Sequence, residues 1–228
     1  GMHIGKFSWG QQGTHGATTE RTKKYMDFAA EHDIDGVLVE GWNTGWESWL
    51  EDDHFSFTES YPDFDLEEVT TYAEEKGVAL IGHHETGGDV PSYERQMEDA
   101  FALYDSVGVP AVKTGYAGPI RPEGVHHHGQ QMVNHYREVV KLAAKHEIAI
   151  NAHEPIKPTG IRRTWPNMMT REGVRGMEYN AWSEGNPPSH ATIVPFTRML
   201  AGPLDYTPGI FNLTPEEIMP DNRVRTTL

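Results

Sequence analysis

Short apolar runs alternate along this chain with longer segments of helical periodicity. Four of the runs span Asp35–Glu40, Val78–Gly82, Pro110–Thr114 and Ile148–Ala152, and a further run spans His3–Trp9. Their length and their β-branched residues predict buried strands. Five such strands separated by helices are typical of a parallel sheet that is buried on both faces.

The segments between the strands place apolar residues three and four positions apart, which is the spacing of one face of an α-helix. The clearest helix is predicted at residues 130–145, and others are predicted at residues 18–31, 65–77 and 92–108. Strand and helix therefore alternate in βαβ order.

Two architectures fit this order: a (β/α)8 barrel of the TIM type and a doubly wound open sheet. No glycine-rich phosphate loop follows the first strand, which weakens the case for a nucleotide-binding open sheet. After Pro155 the pattern loosens, with one short helix predicted at residues 195–200. We predict an α/β fold in which residues 1–228 form a single domain, a TIM-type barrel that is incomplete in this chain.

The composition argues against several classes of function. Asp and Glu number 34 against 19 Lys and Arg, a formal net charge of −15, whereas nucleic acids and anionic membranes attract clustered basic side chains. There is no cysteine, which excludes disulfides and thiolate metal ligands. No apolar run approaches the roughly 18 residues of a membrane-spanning helix. The start Gly1–Met2 shows no signal-peptide pattern, and we expect a longer parent protein.

Polar side chains follow the predicted strands at the point where each strand ends. The second strand ends at Glu40–Asn43, the third at His83–Glu85, the fourth at Lys113–Tyr116 and the fifth at Asn151–Glu154, and a sixth candidate strand is Arg175–Tyr179. The opposite strand ends carry no comparable set. Because barrel active sites lie at the carboxyl ends of the strands, this asymmetry predicts an active site.

The carboxylates at these positions predict acid–base chemistry. They are Glu40, Glu85, Glu154 and Glu178. Two carboxylates in one pocket take different pKa values, so that one acts as acid and the other as base, and glycoside hydrolysis needs such a pair. Four tryptophans in adjacent loops are placed to stack on sugar rings: Trp42, Trp46, Trp49 and Trp165. The competing interpretation is that each glutamate is a capped or salt-bridged loop residue.

The histidines leave a second interpretation open. His83 and His153 stand beside a glutamate at strand ends, where they are candidates for hydrogen bonds to sugar hydroxyls or for zinc ligands. Together with His84 and the glutamates, these histidines fit the metal site of a zinc-dependent barrel hydrolase or isomerase, although the first strand has no His-x-His pair. The run His126–His128 argues less for a metal, because consecutive loop residues do not point the same way. A third alternative is an inactive glucan-binding remnant.

Several motifs occur in order over nearly the whole chain. They are Val39–Asn43, Val112–Tyr116, Asn151–Glu154, Arg163–Asn167, Arg175–Tyr179, Pro195–Arg198 and Gly202–Gly209. Together they resemble glycoside hydrolase family 97, and within it the inverting, calcium-dependent α-glucosidases. The resemblance implies a catalytic barrel that hydrolyses α-glucosidic bonds of oligosaccharides.

The resemblance also implies roles for individual residues. Glu178 corresponds to the general acid, and Glu154 and Glu85 correspond to the carboxylates that activate water as the base. His83 and His153 correspond to positions that contact the sugar, and three more residues are predicted to bind the substrate beside them: His84, Glu40 and Trp42. Three correspond to calcium ligands: Glu154, Glu172 and Glu178.

The fourth strand separates the two mechanisms found in the family. Retaining members carry an aspartate nucleophile there, and the resemblance places Gly115 at that position. A glycine offers no nucleophile and leaves room for water, which an inverting pair needs at its separation of about 6.5–9.5 Å, against about 5 Å for a retaining pair. The resemblance therefore implies inversion.

This chain departs from the family in extent. It lacks the family's N-terminal β-sandwich and C-terminal β domain, and one calcium ligand of the family comes from the former. We therefore expect weak or no activity, a calcium site that is incompletely occupied, and self-association through exposed barrel flanks. The resemblance also implies a bacterial periplasmic or cell-surface location.

Overall fold

A computed structural model describes residues 2–4, 7–8, 11–49, 51–181 and 183–208 of the chain. Where the sequence predicts one domain, the chain divides into two compact units, Gly1–Met169 and Thr170–Leu228. The first unit contains the strands and helices of the parallel sheet. The second contains short helical segments.

Five of the six strands of the main sheet are parallel strands of the first unit. They are β1 (Met2–Ile4), β4 (Gly36–Val39), β5 (Ala79–Glu85), β6 (Ala111–Gly115) and β7 (Ala149–Ala152), and each pairs with the next. The separate strands β2 (Phe7–Ser8) and β3 (Gln11–His15) pair antiparallel. The sheet order never reverses, whereas a doubly wound sheet has a reversal at its switch point. The predicted α/β, TIM-type architecture is therefore confirmed.

Four helices connect the strands of the first unit. They are α1 (Thr19–Glu31), α2 (Leu66–Lys76), α3 (Val90–Ser106) and α4 (Gln130–Lys145). Side chains of Thr18, Asp65 and Asp89 accept hydrogen bonds from the first-turn amides of α1, α2 and α3, which fixes where these helices begin. The third helix starts two residues before the predicted Ser92, because Asp89 is its N-cap.

Two strand predictions are corrected by the structure. The predicted strand His3–Trp9 is not continuous, because β1 joins the parallel sheet while Phe7–Ser8 pairs antiparallel with β3; Trp9 itself lies outside the described residues. The predicted sixth strand, Arg175–Tyr179, contains the start of a 3₁₀ helix, Met177–Ala181. The sixth strand is instead β8 (Met168–Arg171).

The second unit also differs from the short helix predicted at residues 195–200. The α-helix of this unit is α5 (Pro188–Ile193), and it is followed by two 3₁₀ turns, Val194–Phe196 and Arg198–Ala201. Thr197, at φ −125° and ψ −77°, interrupts the helical path between these turns. The predicted segment is therefore two tight turns instead of one helix.

Apolar side chains of the sheet and helices form the core of the first unit. Its largest fully buried members include Trp42, Tyr93, Tyr104, Phe57, Phe101, Met26 and Met132. Among the residues that the structure describes, five large apolar side chains are exposed: Met169, Ile193, Phe196, Met199 and Leu200. Self-association through such side chains stays a prediction. Within the described residues, none of the helices has both the length and the apolarity that crossing a bilayer demands.

Candidate active site

One face of the sheet carries the polar side chains of the strand ends. Successive side chains of a strand point to opposite faces, and parallel strands in register align equivalent residues. His83 pairs with Lys113, Lys113 with Asn151, and Glu85 with Gly115. Because Leu38 pairs with Ile81, Glu40 and His83 share the same face two residues further on. The structure thus brings together these residues at one edge: Glu40, His83, Glu85, Lys113, Gly115 and Asn151.

Glu40 stands at the centre of a charged group on this face. Its Oε2 lies 3.5 Å from Nζ of Lys113 and 3.6 Å from Nε2 of His83. The His83 side chain is buried, while those of Glu40 and Lys113 remain 24% and 17% exposed. The group therefore offers both donors and acceptors to a polar ligand. The sequence places Lys113 among the polar residues at strand ends but does not predict its contact with Glu40; its position two residues before Gly115 on a strand places both on one face.

Glu85 ends β5, and its carboxyl is held by the backbone of two loops. Oε1 accepts hydrogen bonds from the amides of Gly87 (2.8 Å) and Ala117 (2.9 Å). Burial, more than any neighbouring charge, raises the pKa of Glu85 to about 7, with the charge of Glu40 acting in the same direction. A carboxyl with such a pKa exchanges its proton near neutral pH, as a catalytic acid or base must.

This pKa predicts a pH-dependent stability. A carboxyl whose pKa is raised in the folded protein is stabilised in its protonated form. Its contribution is complete below its usual pKa of 4.5 and is lost as the pH rises through about 7. From the shift of this pKa from 4.5 to about 7, we expect a loss on the order of 3 kcal/mol between pH 4.5 and 8. Glu85→Gln should lose this dependence in urea unfolding, and the exposed Glu74→Gln should retain it.

Glu154 follows β7 and has an unusual backbone conformation. Its φ is +45°, in the left-handed region that non-glycine residues seldom adopt. The hydroxyl of Tyr136 on α4 is shared between two carbonyl oxygens, those of His153 (2.8 Å) and Glu154 (2.9 Å). The Glu154 side chain is exposed and that of His153 half-buried, so both side chains of this loop reach solvent while the backbone is held.

The electrostatics of Tyr136 relate the two predicted base residues. Burial raises the pKa of Tyr136 well above its usual value, and the negative charges of both Glu154 and Glu85 raise it further. Each carboxylate therefore acts on the same buried hydroxyl. Glu85 and Glu154, which the sequence predicts as one pair, lie at the same end of the sheet.

His84 points to the opposite face of the sheet and is part of the core. Its ring is fully buried, stacks on Tyr104 with 4.9 Å between ring centroids, and hydrogen bonds through Nδ1 to the hydroxyl of Tyr93 at 2.9 Å. Burial lowers the pKa of His84 to about 3, so the ring is neutral. The predicted sugar contact by His84 has no geometric support, and His84 cannot share a zinc ion with His83.

Trp42 is also a core residue. It is 2% exposed, and its Nε1 donates to the carbonyl oxygen of His83 at 3.1 Å. Trp42 thereby packs against β5 within the core, and its ring is not accessible to a ligand. Trp46, half-buried, stacks over the His83 ring at 6.0 Å and 23°, which makes it the predicted stacking residue with a direct link to the charged face. Trp49 and Trp165 are half-buried and pack against the core.

Glu178 and Glu172 belong to the second unit. Glu178 lies in the first turn of Met177–Ala181, and its buried Oε2 has no hydrogen-bond partner within the described residues. The amide of Met177 donates to the carbonyl of Thr207 at 2.8 Å and fixes this turn. The carbonyl of Glu172 accepts from the Arg198 guanidinium at 2.7 Å. The predicted cooperation of Glu178 with Glu85 and Glu154 joins residues of two units and stays a prediction.

The residues predicted to bind calcium are divided between the two units. Within the part of the chain that the structure describes, no three His, Asp or Glu side chains are grouped closely enough to hold a metal ion. Of the predicted ligands, Glu154 belongs to the first unit, and Glu172 and Glu178 belong to the second. Calcium binding therefore stays a prediction, because its predicted ligands belong to both units.

Comparison with known proteins gives a family match over most of the chain. The family model described as glycoside hydrolase 97 matches residues 1–174. This match includes β1 to β8 and every predicted site residue except Glu178.

Two solved structures are similar in both sequence and fold. A glycoside hydrolase family 97 enzyme from Pseudoalteromonas sp. strain K8, in complex with acarbose, is 54% identical with a TM-score of 0.84. A variant of a family 97 enzyme from the same strain, in complex with panose, is 53% identical with the same TM-score. Each match covers 95% of this chain and 36% of the other chain.

A curated relative is named as an α-galactosidase and not as an α-glucosidase. The retaining α-galactosidase of Bacteroides thetaiotaomicron is 28% identical over 199 residues, which cover 85% of this chain and 27% of the relative. This chain therefore spans about a quarter of the length of that relative.

Proposed function

Because the chain belongs to glycoside hydrolase family 97, we propose that it serves the hydrolysis of α-glucosidic bonds in oligosaccharides, with inversion at the anomeric carbon. Inversion is a single displacement: water attacks the anomeric carbon, the bond to the leaving oxygen breaks, one carboxylate takes the water's proton and one carboxylic acid protonates the leaving oxygen. The proposal assigns the base to Glu85 and Glu154 and the acid to Glu178.

The packing around Gly115 is the observation that carries the choice of inversion. A Cβ built on Gly115 would lie 2.4 Å from the carbonyl oxygen of His153, well inside van der Waals contact. The strand position that supplies a nucleophile in retaining members is therefore closed to any side chain while the loop keeps its place. Because β6 provides no side chain that could attack the anomeric carbon, the carboxylates Glu85 and Glu154 activate water for that attack instead.

The hydrogen bonds of Glu85 suit a base that holds water. Both bonds described for its carboxyl reach Oε1, from the amides of Gly87 and Ala117, which leaves Oε2 to accept a proton. With a pKa of about 7, this carboxyl is charged at mildly alkaline pH and binds a proton more strongly than an exposed glutamate does. Glu178 is assigned the acid, since its buried Oε2 has no hydrogen-bond partner within the described residues and is not already committed as an acceptor.

The comparisons favour glucose over galactose as the sugar. The family 97 enzymes that are 53–54% identical to this chain are held in complexes with acarbose and panose, whereas the α-galactosidase is 28% identical. A retaining α-galactosidase is the second candidate, favoured by that relative's name and opposed by Gly115. A zinc hydrolase loses support because His83 and His84 face opposite sides of the sheet. The last alternative, an inactive glucan-binding remnant, is decided by the experiment below.

Proton NMR of the first product tests this proposal. We expect 4-nitrophenyl α-glucoside to release β-glucose first, with the α anomer appearing only by mutarotation, and 4-nitrophenyl α-galactoside to be cleaved far more slowly. α-Glucose as the first product would contradict inversion, and faster cleavage of the galactoside would favour the second candidate. Binding of maltose without any hydrolysis, by this chain and by its full-length parent, would support the remnant.

The same spectra recorded with a chelator test calcium. We propose that a calcium ion bound by Glu154, Glu172 and Glu178 assists the reaction, so that chelation should stop hydrolysis. Full activity in chelator would remove calcium from the proposal. Weak activity of this chain relative to its parent, self-association and a periplasmic or cell-surface location also remain predictions.

A further inference from the structure

The histidine run His126–His128 has no role in the proposed chemistry, yet it is bonded to the loop that carries Glu154. His127, half-buried between β6 and α4, hydrogen bonds through Nδ1 to the hydroxyl of Tyr116 and through Nε2 to the carbonyl oxygen of Pro155 at 3.1 Å. A carbonyl only accepts, so Nε2 carries the proton and Nδ1 accepts from Tyr116. This tautomer links the end of β6 to the residue after Glu154.

His128 adds a second attachment to the same loop. Its Nδ1 accepts from the backbone amide of Lys157 at 3.3 Å, and its ring meets that of His127 edge to face at 4.3 Å between centroids. The run therefore holds the loop at Pro155 and at Lys157. His126, in contrast, is exposed.

The opposite side of the loop is held as well. Tyr136 binds the carbonyls of His153 and Glu154, and Gly115 lies directly against the His153 carbonyl. Between these attachments Glu154 keeps its φ of +45°. A non-glycine residue in the left-handed region is strained and persists only where its surroundings impose that conformation.

We infer that His127 and Tyr116 are positioning residues, which hold the loop after β7 in the conformation that aims the Glu154 carboxylate at its water. The inference rests on the proposed function for the catalytic role of Glu154. The hydrogen-bonded group of Tyr116, His127 and Pro155, called the brace below, is itself a property of the fold. Neither His127 nor Tyr116 needs to touch the substrate. The Tyr116 hydroxyl donates to Nδ1 of His127, and Nε2 of His127 donates to the carbonyl oxygen of Pro155, the residue after Glu154.

Amide hydrogen exchange tests the brace independently of activity. In His127→Ala and in Tyr116→Phe, we expect the amides of residues 153, 154, 156 and 157 to exchange at least about tenfold faster than in the unaltered chain, because the loop loses one of the hydrogen bonds that hold it closed. His126→Ala is the matched control and should leave exchange unchanged. Unchanged exchange in both brace variants would overturn the inference, whether or not the protein hydrolyses glycosides.

Kinetics of the active protein, or of its full-length parent, test the positioning role. We expect His127→Ala to lower kcat by about 10- to 100-fold with little change in KM, as a misplaced catalytic group does. His127→Gln, whose amide both donates and accepts, should recover part of kcat, which a loss of packing alone does not explain. Faster exchange with unchanged kcat would show that the brace holds the loop but does not contribute to catalysis. If the unaltered protein hydrolyses no glycoside, the proposed function fails while the exchange result still decides the brace.

Discussion

Replacing Glu85 by glutamine is expected to lower kcat by about 10²- to 10⁴-fold, the usual contribution of a general base. Glutamine keeps the shape of the side chain and an oxygen that can accept from the amides of Gly87 and Ala117, so the loops stay in place. It cannot take a proton from water. The substrate should be α-glucosyl fluoride, because fluoride leaves without protonation and the rate then depends on the base and not on Glu178.

The pH profile and a control complete this experiment. In the unaltered protein, kcat should rise with pH through about 7, where Glu85 loses its proton, and the residual activity of Glu85→Gln should lack this limb. Glu74→Gln, an exposed change on α2, should leave both kcat and the profile as they are. A Glu85→Gln protein with near-normal kcat and the same acid limb would remove Glu85 from the mechanism and leave Glu154 as the base.

The site could be located from sequence because parallel strands end at a common edge. Glu40, Glu85 and Glu154 each follow a short apolar run, and the structure places all three at that edge. The motif His83–Glu85 was harder to interpret, since composition alone does not say which histidine shares a face with the glutamate. Strand alternation answers this: His83 and Glu85 share one face, and His84 lies among the helices.

What the sequence could not provide are features that depend on distant residues. Arg175–Tyr179 is predicted as a strand that carries Glu178, yet the amide of Met177 bonds to Thr207, thirty residues away, and a 3₁₀ helix begins at Met177. The positive φ of Glu154 has no local signal such as glycine or asparagine. It is imposed by Tyr136 and the histidine run, whose bonds only the folded chain reveals.

A methyl group at position 115 is expected to destabilise the protein by about 3 kcal/mol, toward the upper end of what overpacking costs. The Cβ of Gly115→Ala meets the His153 carbonyl oxygen at 2.4 Å, and this carbonyl is already held by Tyr136, so strand and loop must separate. For a chain of this size, the melting temperature should fall by roughly 6–12 °C. Gly108→Ala is the control: its Cβ meets open space, and its φ of +74° alone should cost about 1 kcal/mol.

The same position offers a test of the mechanism. Gly115→Asp restores the residue type that retaining members use there, but its carboxylate has no space beside the His153 carbonyl. We expect this variant to unfold at lower temperature and to lose hydrolysis, and not to change the anomer of the product. A stable Gly115→Asp protein that releases α-glucose first would show that the loop yields to the side chain. Inversion would then depend on the missing aspartate alone, and the closed packing around Gly115 would have no part in it.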